Sequence, residues 1–251
     1  MSSIAAIIIT KNEERNIAAC IETVLWVDEI IVLDCGSDDK TTQISQAYAS
    51  KVRLYMTNWL GFGKQKNRAL ALTTATWVLS LDADERITPE LKDEILRKLN
   101  SNYAAYQIPR LSYFLNKPIK HCYGKKSDAP VRLFKNGCGK FTDDIVHEQI
   151  IVVGAVGKLQ NQMLHFSFAS MEQLINKINT YSTLSAAKLK RNQVRTTYFQ
   201  VLVHASWAFL KVYFLRRGFL DGWVGFIIAF SNFAEVFYKY AKLLEKNVVM
   251  E

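Results

Sequence analysis

Four short apolar runs recur through the first third of the chain: Ile4–Thr10, Glu29–Asp34, Val52–Met56 and Trp77–Leu81. Runs of about five to seven β-branched and aliphatic residues, apolar without strict alternation, suit strands covered on both faces. Helical patterns fall between them: Ile17–Trp26, with Asn16 a candidate N-cap, Thr41–Ala49 after the polar turn Gly36-Ser37-Asp38-Asp39, and Gly61–Leu72. Thr88-Pro89-Glu90 opens a further helix, with threonine as the cap and proline at the first helical position. This alternation predicts an α/β fold, a Rossmann-like, mostly parallel sheet with helices on both faces.

After Asn100 the rhythm changes. Tyr106–Leu115, Val131–Lys135 and Ile150–Val156 read as strands without crossover helices between them, so they are expected to extend one side of the first sheet. Ser170-Met171-Glu172-Gln173 has the spacing of a capping box and predicts a helix from Met171. The expected division is a domain over 1–168, in halves 1–100 and 101–168, followed by a helical extension over 169–251.

Composition excludes several classes. A chain of 251 residues with 49% hydrophobic and 22% charged residues is neither disordered nor of low complexity, and no internal repeat is visible. Four cysteines with no C-x-x-C pair exclude a disulfide scaffold and argue against structural zinc; a reducing, cytosolic compartment is expected. No basic residue precedes the apolar run of Met1–Thr10, and Lys11-Asn12-Glu13-Glu14 ends it, so it reads as a strand, not a signal or a span. The net charge of +9 points to an anionic partner: nucleic acid, phosphorylated substrate or acidic lipid.

The cations concentrate late. Between Gln173 and Leu220 there is no acidic residue, while Lys177, Lys188, Lys190, Arg191, Arg195, Lys211, Arg216 and Arg217 fall there among dense aromatics. Lys211, Arg216, Arg217 and Asp221 are expected to keep any apolar stretch below spanning length. Gly218 after two arginines reads as a helix stop. Helices mixing Phe, Trp and Tyr with Lys and Arg are suited to an anionic membrane surface, here over 173–240, or to packing on the first domain.

The sharpest chemical feature is Leu79-Ser80-Leu81-Asp82-Ala83-Asp84-Glu85. In an extended backbone, carboxylates at i and i+2 leave on the same face, about 6.5 to 7 Å apart. At the C-terminal edge of a parallel sheet they sit where α/β folds bind ligands. A hard divalent cation, Mg²⁺ or Mn²⁺, between them and a diphosphate would relieve their repulsion. Thr10-Lys11-Asn12-Glu13, Asp34 with Ser37 and Asp39, and Lys64, Lys66 and Arg68 of Gly61–Arg68 supply polar groups expected at the same edge. An acid there can accept from a ribose hydroxyl or a base N–H. Taken singly, each has a plain structural alternative as a cap, a turn residue or a solvated face.

Ile7–Glu14 (IIITKNEE), Ile31–Thr41 (IVLDCGSDDKT), Gly61–Asn67 and Leu79–Glu85 (LSLDADE), in that order, resemble family 2 glycosyltransferases of the GT-A fold. Val146-His147-Glu148 and the aromatic, basic C-terminus further resemble bacterial lipopolysaccharide core glycosyltransferases. The resemblance implies a nucleotide-diphospho-sugar donor, usually uridine-linked, and an inverting single displacement onto a glycan or lipid-linked acceptor. It implies that Thr10, Asn12 and Glu13 line the nucleotide pocket together with Ser37 and Asp39, and that Asp34 meets the base. Lys66 would lie near the nucleotide, Asp82 and Ala83 near the ribose or sugar, and Asp84 on the metal. It places a general base in Phe141–Glu148, where Glu148 is expected to act, with His147 as neighbour and Asp144 or Asp143 as alternatives. His165 is a candidate additional metal ligand. A cytoplasmic enzyme on the inner membrane face, with no nucleic acid partner, is the expectation.

Other classes compete. A phosphatase with an aspartyl nucleophile resembles D-x-D-x-T on its first strand, whereas here position 86 is Arg and the strand is the fourth. A basic nucleic-acid-binding module accounts for the cations and aromatics but leaves the strand-end carboxylates without a role. Dinucleotide oxidoreduction lacks G-x-G-x-x-G after the first strand.

Overall fold

The computed structural model describes residues 2–123, 128–143, 149–168 and 170–248. The chain forms two compact units, Met1–Arg110 with Asp128–His165, and Leu111–Ser127 with Phe166–Glu251.

The first unit is built on a seven-stranded sheet. Strands β1 (Ile4–Thr10), β2 (Glu29–Asp34), β3 (Val52–Met56) and β4 (Trp77–Asp82) pair in parallel in the order β4-β1-β2-β3. Beyond β4 in the sheet come, in order, β9 (Val131–Lys135), β6 (Ala105–Gln107) and β12 (Val156–Lys158), while β5 (Glu85–Arg86), which follows β4 in the chain, belongs to another sheet. β9 is antiparallel to β4, so the later runs extend one side of the sheet in part, while Arg110–Phe114 and Ile150–Val152 join two other sheets. The run expected as Tyr106–Leu115 breaks at Ile108-Pro109 into β6 and β7 (Arg110–Phe114), and Ile150–Val156 divides into β11 (Ile150–Val152) and β12. Proline has no N–H to give the ladder, which accounts for the first break.

The residue alternation in β1 explains the two-sided cover. Ile4, Ala6 and Ile8 join a core with Ile17, Ile21, Leu91 and Ile95, from α1 (Ile17–Glu22) and α4 (Pro89–Lys98). Ile7 and Ile9 face a second core with Ala69 of α3 (Phe62–Leu70). Thr88 caps α4 as expected, accepting from the Leu91 N–H, whereas Asn16 makes no side-chain cap bond to α1. The Asn16 amide instead donates to Glu13 and its side-chain oxygen accepts from Arg86. α2 (Thr41–Gln46) follows the polar turn after β2.

In the second unit β7 and β8 (Lys117–Pro118) form an antiparallel hairpin that turns at Leu115 and Asn116, both at positive φ. Phe114, Ile119 and Cys122 share a core with Leu174, Val212, Val224 and Ile228. Residues ahead of the expected boundary at 168 therefore pack with the helices. These are α5 (Met171–Arg191), capped by Ser170, α6 (Tyr198–Leu210) and α7 (Gly222–Val248), and α7 packs on both of the others.

One expectation is overturned here. Lys211, Arg216, Arg217 and Asp221 cluster at the corner before α7 and do not interrupt it. The run Gly218–Glu245, although Asp221 falls within it, is long and apolar enough, by length and composition, to cross a membrane; its most apolar 18-residue window has mean hydropathy 1.3 and is 22% buried.

Candidate active site

The parallel register sets the site. Thr10 stands opposite Asp34, and Ile9 opposite Asp82, so the ends of β1, β2 and β4 form one rim. Strand–helix connections leave a parallel sheet at this rim, where backbone groups lose their ladder partners.

The loop after β2 is organised by its own acids. Asp34 is fully buried and accepts from the N–H groups of Gly36 and Ser37, at 3.0 and 2.9 Å, and from the Ser37 hydroxyl at 2.5 Å. Its carboxylate therefore holds the turn, and no part of it is exposed to meet a base in this structure. Asn12, at φ 56°, donates its N–H to Ser37 Oγ and accepts the Asp38 N–H on its side chain, tying the first rim loop to the second. Glu13 donates its N–H to Thr41 Oγ1 at 2.8 Å. Burial raises the Glu13 carboxyl above its ordinary value, and the nearby charges of Asp84 and Asp39 add to this. Burial also opposes ionisation of Asp39, yet hydrogen bonds from Thr41 and Glu14 leave that carboxyl below its usual range. Thr10 Oγ1 is buried with no hydrogen-bond partner among the described residues, a polar atom that a bound group could satisfy.

At the end of β4 lies a charge network. Lys66 Nζ, from α3, is 2.9 Å from Asp82 Oδ1, and Arg132 Nη2, from β9, bonds Asp82 Oδ2. The same Arg132 nitrogen lies 2.6 Å from Glu85 Oε1, while Glu85 Oε2 accepts the Asp82 N–H at 3.0 Å. Arg110 also reaches Glu85, at 3.2 Å, and pairs with Asp128. Lys66, Glu85 and Arg132 are almost wholly buried, and 32% of the Asp82 side chain is exposed. Burial alone would raise the Asp82 carboxyl; Arg132 and then Lys66 hold it far below the usual carboxylate range. Arg132 is correspondingly fixed as a cation, because Asp82 and Glu85 outweigh its desolvation.

The extended geometry expected for Asp82 and Asp84 does not occur, because the strand ends at Asp82 and turns through Ala83-Asp84. Ala83 is buried and its carbonyl accepts from Arg86 at 2.7 Å. The two acids consequently take different partners. β13 (Met163–Phe168) places His165 opposite Glu85, and His165 Nε2 lies 3.3 Å from Asp84 Oδ2. Among the described residues no three His, Cys, Asp or Glu side chains gather as a metal centre. One carboxylate and one imidazole nevertheless fit a cation that takes its other ligands from substrate phosphates and water.

Lys66 is positioned by a close backbone approach. Asn67 and Phe141 exchange hydrogen bonds of 2.8 and 3.0 Å between α3 and β10 (Gly139–Phe141). A Cβ on Gly63 would lie 1.7 Å from the Thr142 carbonyl oxygen, so only glycine lets α3 sit there. β10 pairs antiparallel with β11, and the segment expected to carry the general base lies between them in the sequence. Asp143 is exposed; Asp144, His147 and Glu148 lie outside the described residues.

A family model described as glycosyl transferase family 2 matches residues 5–140. The chain belongs to that family. This glycosyltransferase is 35% identical, over 99% of its length and 89% of the relative, to an uncharacterized glycosyltransferase of Rickettsia typhi. It is 29% identical to LpsC, a lipopolysaccharide core biosynthesis glycosyltransferase of Rhizobium meliloti, over 98% of this chain and 96% of LpsC. The solved structure of TarS residues 1–349 from S. aureus, in complex with UDP-GlcNAc, has a TM-score of 0.50, 15% identity and coverage of 99% and 92%. The resemblance read from the four ordered motifs is borne out, and the fold is GT-A.

Arg132, Glu85 and Arg110 were not among the expected site residues. A signal existed for the first: Val131-Arg132-Leu133-Phe134 places a cation inside an apolar strand, which requires a buried carboxylate.

Proposed function

We propose that this glycosyltransferase moves a hexose, with inversion, from a uridine-diphospho-sugar to a glycan or lipid-linked acceptor of the cell envelope. One observation supports it above the rest: Asp84 and His165 stand together on the rim that also holds Lys66 and Asp82. That arrangement offers a cation site beside a buried positive side chain, which suits a diphosphate leaving group. A lipopolysaccharide-core acceptor is the reading favoured by likeness to LpsC along nearly the whole chain.

In the reaction the acceptor oxygen attacks the anomeric carbon as the bond to the diphosphate breaks, and the hydroxyl proton passes to a carboxylate. We assign that carboxylate to Glu148, with His147 beside it and Asp144 or Asp143 as alternatives. Such a base contributes about 10²- to 10⁴-fold. Mg²⁺ or Mn²⁺ held by Asp84 and His165 would supply charge neutralisation at the departing diphosphate, where negative charge grows toward the transition state. Lys66 and Arg132 hold Asp82 ionised and fixed, ready to accept a sugar or ribose hydroxyl on its exposed side. Thr10, Asn12, Glu13, Ser37 and Asp39 form the nucleotide side, with Asp34 keeping their loop in shape. The enzyme works on the cytoplasmic face of the membrane, held by the cationic, aromatic helices of 173–240.

The test is nucleoside diphosphate release from a panel of nucleotide sugars, with and without Mn²⁺. Slow metal-dependent hydrolysis, lost in Asp84→Ala, is the expected result. Equal turnover in the presence of chelator, or full activity of Asp84→Ala, would refute the metal-assisted reading.

A further inference from the structure

We infer that the corner joining α6 to α7 is a preformed wedge that seats in an anionic lipid leaflet; this rests on the membrane-surface reading above and deepens it. Phe214, Leu215, Phe219, Leu220 and Trp223 crowd the corner, each between 46% and 66% exposed. Scattered apolar residues on a surface are ordinary, but a contiguous group of this size marks an interaction site. The group continues up α6 through Phe199, Val203, Trp207 and Leu210, whose spacing of three and four sets them on one exposed face.

The surroundings are cationic. Lys211 and Arg217 are exposed at the corner beside Arg216, Lys120 is exposed on the adjoining hairpin segment, and Lys117 Nζ lies 5.1 Å from the Trp223 ring centroid. The one acid at the corner is turned inward: Asp221 has 3% of its side chain exposed. It accepts from the N–H groups of Lys120, His121 and Cys122 and pairs with the His121 ring at 2.8 Å. An apolar tip ringed by cations matches a leaflet with anionic headgroups over hydrocarbon. Pairing of two copies through this face would set like charges against each other.

The wedge is already shaped. α6 ends in a π-helical turn, Lys211–Leu215, Arg217 takes φ 60°, and a 3₁₀ turn leads to Gly222 at φ 63°. A Cβ on Gly225 would lie 1.8 Å from the Gly218 carbonyl oxygen, so α7 starts in contact with the corner backbone. A rigid corner has little conformational freedom to lose on docking. Lys242 donates to Asn179, Ser182 and Thr183 of α5, so a polar cluster ties the far part of α7 to α5. In this arrangement the helices lie on the leaflet, with the corner inserted.

The experiment is sedimentation of the full-length protein with phosphatidylglycerol-containing or pure phosphatidylcholine vesicles, with bromine-labelled acyl chains to quench tryptophan. Binding should favour phosphatidylglycerol and weaken about fivefold for each charge removed by Lys211→Gln or Arg217→Gln. Leu215→Ser with Leu220→Ser should weaken it by about tenfold or more. Because both side chains are exposed, the urea midpoint and donor hydrolysis should stay unchanged. Bromine quenching should fall in Trp223→Phe. Vesicle binding that survives the double serine variant, with no quenching at Trp223, overturns the wedge while the broader membrane reading stands. A wild-type protein that ignores both vesicles and dimerises, with the dimer lost in the double variant, assigns the face to a second copy and overturns both.

Discussion

Asp84 Oδ2 lies 3.3 Å from His165 Nε2, an encounter made by β13 returning antiparallel along the two-residue strand β5. If this pair holds the cation, His165→Ala should raise the Mn²⁺ concentration needed for half-maximal donor hydrolysis by about tenfold or more. The loss should be smaller with Mg²⁺, which prefers oxygen ligands to imidazole. A metal titration in which the variant follows the wild-type curve removes His165 from the site.

Arg132 is the centre of the buried network, and its removal leaves the fully buried Glu85 with the Asp82 N–H and, at 3.2 Å, Arg110 as partners among the described residues. Breaking a buried pair on one side costs about 3–5 kcal/mol. Arg132→Met should therefore lower the urea midpoint strongly. Changing Glu85→Gln in the same chain should recover part of the loss, since the orphaned charge is then gone. A midpoint within error of the wild type would show that the network contributes little to the fold.

Much of the catalytic unit was legible because its signals are local. The apolar runs of β1, β2 and β4 and the polar residues at their ends can be read directly, and parallel register then brings Thr10, Asp34 and Asp82 to one rim. What escaped depends on partners distant in the chain. Nothing near Arg132 announces Asp82 or Glu85, and the turn at Ala83 separates two acids whose spacing alone implied one face. In the second unit, charges counted as interruptions of an apolar stretch gather at one corner, leaving α7 free of them at its start.

Gly63 tests how Lys66 is held. With its Cβ placed 1.7 Å from a backbone oxygen that cannot rotate away, Gly63→Ala forces α3 and β10 apart. Overpacking of this kind costs about 1–3 kcal/mol. Since Lys66 follows one turn later in α3, the variant should also raise KM for the donor more than it lowers kcat. Steady-state kinetics beside a thermal melt separate the two effects. An unshifted melting temperature would mean that the approach is not tight in solution.

Glu13 gives a pH dependence with a definite sign. Burial, aided by Asp84 and Asp39, outweighs the hydrogen bond from Asn16 and the charge of Arg86, so its folded value stands above the unfolded one of about 4.3. A carboxyl raised on folding favours the native state fully below the unfolded value, and that contribution is lost as pH rises through the folded value. At neutral pH the ionised Glu13 therefore opposes folding. Glu13→Gln keeps an oxygen to accept from Asn16 Nδ2, and it should be more stable than the wild type at pH 7 and indistinguishable near pH 4. Urea titrations in EDTA at the two pH values measure the difference without interference from a bound cation. A gap of the same size at both values would place the origin of any stabilisation elsewhere than in the charge of Glu13.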